Sequence, residues 1–372
     1  MIDLHEVRGR LERAAAERIL ALPRPVLRTL AGPPIRSREG YALDLETQVL
    51  LRLMRLTRQP AMHEGGPKLA RLHMDRSAKV AEPREGHDLS VRDSRIPGPA
   101  GDVRVRIYTP PTNGTARPIL VYLHGGGFAV GSLDSHDGVC RAIASRAEIV
   151  VVSVDYRLAP EHPFPCGLED AVAVTRWVIE HAASFDGDPR RVAVGGDSAG
   201  GNLATGVAVT CKNDPIPPAF QLLIYPATDA SNSMPSHREF GDGFFLTKES
   251  IAWFVRSYLP NPKDGEHPRA SPLYANDLEG APPGLLITAG FDPLRDEGRA
   301  YAKRLQEAGV ALEFREYEGA IHGFVSMAGL LSIGDRALDD IAASLRRALH
   351  APQQAVQAEE PLPAASATPA RS

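Results

Sequence analysis

The segment GDSAG at residues 196–200 has the G-x-S-x-G spacing that can expose a serine as a nucleophile. It follows the apolar segment RVAVG and opens the helix-forming segment AGGNLATGVAV, so Ser198 falls at a strand-to-helix turn. A backbone that doubles back on itself needs neighbours without bulk, which the flanking glycines supply. The free amides at the start of the helix favour a developing negative charge there. The alternative is a glycine-rich turn with a structural serine, and the motifs below weigh against it.

A serine hydroxyl needs a base, and the base follows the serine in chains that use this motif. Two histidines follow the apolar segment GLLITAG, namely His322 and His350. His350 ends a predicted surface helix, whereas His322 lies in a glycine-flanked loop after the segment LEFREYEG. Loops after the last strands are where the base must come from, so we predict that His322 is the base.

The base needs an acid that orients it, and this acid should follow the preceding strand. Asp292 is the first acid after GLLITAG and is therefore the predicted orienting residue. The alternative role for Asp292 is a helix N-cap before a proline. Asp296 and Glu297 fall in the first turn of the next helix, where acids complement the helix dipole.

A second glycine motif, HGGGF at residues 124–128, follows the apolar segment ILVYLH. Glycines let the backbone present amides inward, and an H-G-G-G segment after an early strand can stabilise an oxyanion in this way. We expect the amides of Gly125 and Gly126 to act together with that of Ala199. The alternative is a phosphate-binding loop, but neither G-x-x-x-x-G-K-[ST] nor G-x-G-x-x-G is present.

Composition excludes several classes of protein. The 372 residues are 43% hydrophobic and 24% charged, which is an ordinary globular balance. A net charge of −4 gives no support for binding nucleic acid. Three cysteines without CxxC spacing predict neither a disulfide framework nor a zinc site. The charged N-terminus lacks a signal-peptide core and no apolar run could span a bilayer, so we expect a cytoplasmic protein without stable membrane insertion.

The organisation of the chain changes near residue 86. Residues 1–85 have the pattern of amphipathic helices separated by prolines, and we predict a helical appendage there, which the family resemblance given below identifies with a cap region. Residues 86–350 form the predicted catalytic domain. Within it, residues 228–265 are an aromatic-rich insertion expected to contribute to the cap and the substrate pocket. Residues 351–372, rich in alanine and proline, are expected to be a disordered tail.

From residue 86 onward, a polar–apolar alternating pair of segments precedes six short apolar runs, most of them separated by helical segments. Runs that are apolar on both faces are typical of buried parallel strands. The pattern predicts an α/β fold with a mostly parallel sheet of about eight strands covered by helices on both faces. Aromatic side chains expected to line a substrate pocket are Phe128, Phe244, Phe245, Trp253 and Phe324.

Taken together, these motifs resemble the hormone-sensitive-lipase-like family of α/β-hydrolases, also called bacterial family IV esterases. The matching segments, in the order of the family, are HGGGF (124–128), DYRLAPEHPFP (155–165), GDSAGGNLA (196–204), DPLRDEG (292–298) and HGF (322–324). The GDSAG form is similar to one of the two main subgroups. The resemblance covers about residues 85–350, and the N-terminal helices match the family's cap only in position and character.

The resemblance implies the same triad of Ser198, Asp292 and His322. It also implies a carboxylesterase for small-molecule esters with short to medium acyl chains, working without a cofactor. Family members are often dimers, frequently through the edge strand of the sheet, so the oligomer it implies is a homodimer.

Two alternatives stay open at this point. The same triad could cleave amides, lactones or carbamates. Plant gibberellin receptors resemble this family yet bind a ligand without hydrolysing it, having lost the catalytic histidine, whereas this sequence keeps His322.

Overall fold

The computed structural model describes residues 4–57, 63–111, 114 and 116–350. The predicted disordered tail therefore lies outside the described residues. Four helices precede the first strand: α1 (Leu4–Leu20), α2 (Arg24–Ala31), α3 (Leu45–Thr57) and α4 (Gly66–Ala81).

Eight strands follow and form a single sheet. They are β1 (Ser90–Gly98), β2 (Gly101–Thr109), β3 (Arg117–Leu123), β4 (Val150–Asp155), β5 (Gly187–Asp197), β6 (Phe220–Ile224), β7 (Gly284–Phe291) and β8 (Leu312–Ile321). Their spatial order is β1-β2-β4-β3-β5-β6-β7-β8. β2 pairs antiparallel with both β1 and β4, and all other pairs are parallel. The predicted mostly parallel sheet of eight strands is confirmed.

The remaining helices alternate with the strands. They are α5 (Asp137–Ala147), α6 (Cys166–Glu180), α7 (Ala199–Cys211), α8 (Pro235–Phe240), α9 (Lys248–Tyr258), α10 (Arg295–Glu307) and α11 (Ser332–Leu349). Short 3₁₀ helices lie at Ala182–Phe185, Pro262–Glu266 and Pro272–Tyr274. Among the helices described, none combines the length and hydrophobicity needed to cross a bilayer.

The sheet separates two hydrophobic cores, which explains why its central strands are apolar on both faces. Every residue of β3 and β7 is buried. One core packs α5 and α11 against the sheet, through residues such as Ile143 and Leu338. The other packs α6, α7 and α10 against the opposite face, through residues such as Leu203 and Tyr301.

The N-terminal helices attach to the rest of the chain through α3, α4 and the segment between α2 and α3. Leu50 and Leu51 of α3 join the first core, while α2 and α3 share a small core of their own around Leu27 and Val49. The Arg55 guanidinium donates to the carbonyl of Gly243 at 3.0 Å. The helices thus cover one end of the sheet, with α3 reaching the segment between α8 and α9.

Because β3, β5, β7 and β8 run parallel, their carboxyl ends meet at one edge of the sheet. Chemistry-bearing residues follow each of these ends: His124 after β3, Ser198 after β5, Asp292 after β7 and His322 after β8. Ligands of open α/β sheets bind at the carboxyl ends of the strands, so the fold alone makes these four positions candidates for a functional site.

Candidate active site

Ser198 sits at a turn whose geometry depends on two glycines. Its φ of 55° and ψ of −117° are unusual for a residue with a side chain. A Cβ on Gly196 would lie 2.2 Å from the carbonyl oxygen of Leu123, and one on Gly200 would lie 1.9 Å from the same atom. This turn, called the nucleophile elbow below, therefore packs against the end of β3 only because Gly196 and Gly200 lack side chains. It presents Ser198 directly before α7.

The three residues predicted to form a triad are brought together in one chain of hydrogen bonds. The His322 Nε2 lies 2.9 Å from the Ser198 Oγ, and its Nδ1 lies 2.7 Å from the Asp292 Oδ2. Asp292 is fully buried, and its other carboxylate oxygen accepts the amide of Leu294 at 2.8 Å. Asp292 is thus placed to orient the histidine, whereas the N-cap position of α10 is Leu294, so the alternative role of Asp292 as the helix N-cap is wrong.

The segment of residues 124–131, called the glycine loop below, crosses the site beside this chain. The amide of Gly125 donates to the Asp197 Oδ1 at 2.9 Å. This placement departs from the expectation that Gly125 stabilises an oxyanion, because its amide already has an acceptor on the protein. Gly127, in contrast, lines the cavity together with Ser198 and Ala199.

Asp197, the residue before the nucleophile, is the centre of a buried polar cluster. Besides the Gly125 amide it accepts the Tyr122 hydroxyl at 2.8 Å, and the His136 Nε2 lies 3.2 Å from it. Burial alone would raise the pKa of Asp197, but these three partners outweigh it and the pKa lies below its ordinary value. The carboxylate therefore holds the glycine loop against the elbow as an anion.

His124 is the first residue of the glycine loop, and its side chain is fully buried. Burial lowers the pKa of this imidazole to about 3. Its ring stacks on Tyr156 with centroids 4.4 Å apart, and the Tyr156 hydroxyl donates to the His124 carbonyl at 2.7 Å. His124 is thus a neutral packing residue, consistent with a role in shaping the loop.

A cavity opens beside Ser198 and is mainly apolar. Its walls come from the glycine loop, α7, the segment after β6, α9 and the start of α10. The lining residues are Gly127, Phe128, Ser198, Ala199, Asn202, Ala227, Asp229, Ala230, Asn232, Leu246, Ile251, Phe254, Val255, Tyr258, Leu259, Ala270, Leu294 and Glu297. The Phe128 and Tyr258 rings are stacked, with centroids 3.7 Å apart and planes 5° apart.

Of the five aromatic residues predicted to line this pocket, only Phe128 is among its walls. Phe324 is fully buried beside Tyr225 and Tyr317, and Phe244 packs on Phe240 and Phe291. Both side chains serve the first core instead, Phe324 as a buried member and Phe244 packed against it.

Phe245 and Trp253 also lie off the cavity wall. Phe245 is half exposed beside Gly323, the residue after His322. Trp253 occupies a different face of α9 from Ile251, Phe254, Val255 and Tyr258, which do line the cavity. Those four are spaced three and four residues apart, so helical periodicity was the signal that could have found them.

Glu297 is a residue of the site that the sequence analysis missed. Its side chain is fully buried, and Oε1 accepts the amides of Thr228 and Asp229 at 2.6 and 3.1 Å. The His237 Nε2 lies 3.1 Å from Oε2. Burial raises the pKa of Glu297, and the ion pair raises the pKa of His237 against the opposing effect of burial. Glu297 therefore fixes the segment after β6, which lines the cavity, rather than serving only the helix dipole.

Comparison with known proteins agrees with this geometry. Residues 120–326 match the family described as alpha/beta hydrolase fold. A carboxylic ester hydrolase, LipN, from Mycobacterium tuberculosis is 43% identical over 318 residues, covering 82% of this chain and 83% of the relative. An ethyl acetate hydrolase from Pseudomonas putida is 40% identical over 279 residues, covering 73% and 86%.

Solved structures give the same result. An ester-hydrolase from the metagenome of Lake Arreo, complexed with a bipyridine phosphonate derivative, shares 43% identity at a TM-score of 0.78 and covers 82% of this chain and 98% of that one. A hyperthermophilic esterase from the archaeon Pyrobaculum calidifontis shares 40% identity at a TM-score of 0.74, covering 80% and 97%.

The chain therefore belongs to the α/β-hydrolase family, in its hormone-sensitive-lipase-like branch. Within that class it is a carboxylic ester hydrolase.

Proposed function

We propose that this esterase cleaves small esters with short to medium acyl chains by a two-step acyl transfer at Ser198. The observation that carries the proposal is the continuous chain of hydrogen bonds from Asp292 through His322 to the Ser198 Oγ at the wall of the cavity. A serine, an imidazole and a buried carboxylate in this order are the parts that nucleophilic catalysis by a hydroxyl requires.

In the first step the Ser198 Oγ attacks the ester carbonyl carbon and His322 takes the hydroxyl proton on Nε2. The imidazolium then returns this proton to the departing alkoxide, which leaves as an alcohol, and an acyl group stays on Ser198. In the second step His322 activates a water that attacks the acyl carbon, and the serine leaves with the proton. Asp292 keeps Nδ1 protonated and stabilises the imidazolium throughout.

The oxyanion formed in each step needs amide donors that are not used elsewhere. We assign this role to Gly126, Gly127 and Ala199, in place of the predicted set that included Gly125. Support comes from the position of Gly127 and Ala199 on the cavity wall with Ser198, and from the bond that occupies the Gly125 amide. Donors of this kind can each contribute about 3 kcal/mol to the transition state.

The acyl group is assigned to the cavity beside Ser198. It is lined by apolar side chains such as Leu246, Ile251 and Phe254. Two residues with carboxyl side chains, Asp229 and Glu297, also line it. An acyl chain with a terminal carboxylate is therefore disfavoured, and an uncharged short chain fits best.

The experiment is hydrolysis of p-nitrophenyl esters from acetate to palmitate, with Ser198→Ala as the control. Activity that peaks at short or medium chains and is lost in the variant supports the proposal. Retained ester hydrolysis in Ser198→Ala refutes the triad assignment. A folded wild-type protein without activity on any ester favours amides, lactones, carbamates or a binding role.

Three further expectations from the sequence are kept as proposals. The first is the division into a cap (residues 1–85), a catalytic domain (86–350) and a contributing insertion (228–265). The second is a cytoplasmic location. The third is a homodimer through the outer edge of β8, which ends the sheet and pairs only with β7 among the described strands. Light scattering coupled to size exclusion tests the dimer.

A further inference from the structure

We propose that Arg71, on helix α4 of the N-terminal region, is a positioning residue that holds the glycine loop in its catalytic conformation. The inference rests on the proposed function, since it concerns the loop that would supply the oxyanion donors Gly126 and Gly127. It makes the N-terminal helices part of the catalytic apparatus rather than only a cover for the substrate.

The Arg71 guanidinium spans two segments beside the active site. Its Nε donates to the Ala129 carbonyl at 2.9 Å, and its Nη2 donates to the Ala159 carbonyl at 2.9 Å. The Arg71 Nη1 and Nη2 also donate to the two carboxylate oxygens of Glu161, Oε1 and Oε2, at 3.0 and 2.6 Å. A planar guanidinium suits such a task, because its five donors point in fixed directions. One side chain therefore joins α4, the glycine loop and the segment after β4.

The Ala129 carbonyl that Arg71 contacts belongs to a tight turn that includes the proposed donors, and the Ala159 carbonyl belongs to the segment packed against that turn. The amides of Ala129 and Val130 both donate to the Gly126 carbonyl, at 3.1 and 3.0 Å. The Ala159 amide donates to the Phe128 carbonyl at 2.8 Å. Ala129 is thus coupled to Gly126 directly, and Phe128 is coupled to Ala159. A displacement of either carbonyl would move the amides of the turn.

A second residue of α4 binds Ser132, the residue directly after the glycine loop. Asp75, one helical turn after Arg71, accepts the Ser132 hydroxyl at 2.6 Å. Residues four apart lie on the same face of a helix, so α4 presents a cation and an anion side by side to this loop. Inside the protein, Asp197 holds the Gly125 amide. The loop is therefore fixed from the core by one carboxylate and from the cap by Arg71 and Asp75.

The test compares Arg71→Gln with Arg76→Gln, an exposed arginine of the same helix for which the described residues show no ion pair. The substrate is p-nitrophenyl acetate. Misplaced oxyanion donors act only on the transition state, so kcat of Arg71→Gln should fall roughly 10- to 100-fold while KM changes little. Arg71→Lys keeps the positive charge but loses the planar guanidinium with its fixed donors. Its kcat should therefore lie between the kcat values of Arg71→Gln and of wild type.

A trifluoromethyl ketone provides the readout that a purely structural role would not move. Its adduct joins the Ser198 Oγ to the ketone carbon and leaves an oxyanion, while the serine proton passes to His322. The inhibition constant for Arg71→Gln should rise in proportion to the loss of kcat/KM. Melting temperatures measured alongside separate this effect from a loss of folded protein.

The outcomes separate this inference from the proposed function. Loss of all hydrolysis in wild type would remove the proposed function itself. Wild-type turnover with equal kcat in Arg71→Gln and Arg76→Gln would overturn the role of Arg71 alone, as would a lower kcat with an unchanged inhibition constant. If Arg71→Gln does not fold, Glu161→Gln, which removes only the acidic partner of Arg71, should still lower kcat; an unchanged kcat there overturns the inference.

Discussion

Asp292 is the side chain of the site whose role is most sharply tied to a single proton. Asp292 is fully buried, and its carboxylate is placed to accept a hydrogen bond from Nδ1 of His322. This leaves Nε2 of His322 to act on Ser198. Asp292→Asn would place an amide donor opposite Nδ1 and favour the wrong tautomer. We expect kcat to fall about 10³- to 10⁴-fold. Steady-state kinetics with the surface variant Asp242→Asn as control measures this, and a fall below about 10-fold would contradict it.

The three cysteines differ in their surroundings, which predicts a thiol titration. Cys140 and Cys211 are buried without solvent contact, and burial raises the pKa of Cys211 to about 12. Cys166 is half-buried. Native protein at pH 8 should release about one equivalent of thionitrobenzoate quickly from Ellman's reagent, and denatured protein three. Cys166→Ser should abolish the fast phase; a fast phase that persists would refute the assignment.

The three residues proposed as nucleophile, base and acid could be selected from the sequence and lie together in the structure, because each follows a strand end and strand order along the chain is visible as apolar runs. The role of Gly125 could not, because the direction of its amide depends on Asp197, 72 residues away along the chain. Glu297 was predicted to serve the helix dipole, since nothing local shows that its side chain turns toward Thr228. Polar contacts between residues far apart in the chain do not alter the periodic pattern of apolar residues, so the sequence pattern cannot reveal them.

Helix α9 presents one face to the cavity, and this predicts which substitutions change substrate preference. Phe254 lines the cavity, whereas Trp253, the preceding residue, does not. Phe254→Ala should enlarge the acyl site and raise kcat/KM for p-nitrophenyl octanoate relative to butyrate by roughly 10-fold. Trp253→Ala is the matched control and should leave this ratio nearly unchanged. Equal changes of this kcat/KM ratio in both variants would show that the substitutions act by destabilising α9 as a whole and not by enlarging the acyl site.

Strands and helices were predicted well where their apolar pattern is self-consistent. The fully buried β3 and β7 appear as continuous apolar runs, and the exposed β1 appears as an alternating one. Apart from Phe128, the residues of the pocket wall were not predicted, because the insertion carries many aromatic residues and their number does not reveal which way each side chain points. Phe240, Phe244 and Phe291 form one aromatic cluster under the sheet edge. Aromatic content therefore indicated the segment but not the residues.

For the molecule as a whole, Asp197 predicts a contribution to acid sensitivity. Its folded pKa lies below its ordinary value of 3.8, so it stabilises the fold above that pH and the stabilisation is lost as pH falls through the folded pKa. Asp197→Asn removes this dependence, although the variant starts from a lower stability. Between about pH 5 and pH 2.5 its melting temperature should fall less than that of wild type.

Thermal unfolding followed by circular dichroism across this pH range measures the difference. Asp102→Asn, at an exposed position of β2, is the control and should follow wild type. A steeper fall for Asp197→Asn than for wild type would mean that the buried carboxylate is protonated more easily in the folded state, contrary to the cluster of donors around it.

The turn at Ser198 has a consequence for the history of the chain as well as for its chemistry. A left-handed backbone with a Cβ costs about 1–2 kcal/mol relative to glycine. Ser198→Gly should therefore melt at a higher temperature than Ser198→Ala, although both lack the nucleophile; a lower melting point would show the turn to be relaxed. A lineage released from turnover would gain stability by replacing this residue. A serine in this conformation therefore lowers the stability of the folded chain relative to glycine, and the proposed use of its hydroxyl in turnover is a reason to keep it.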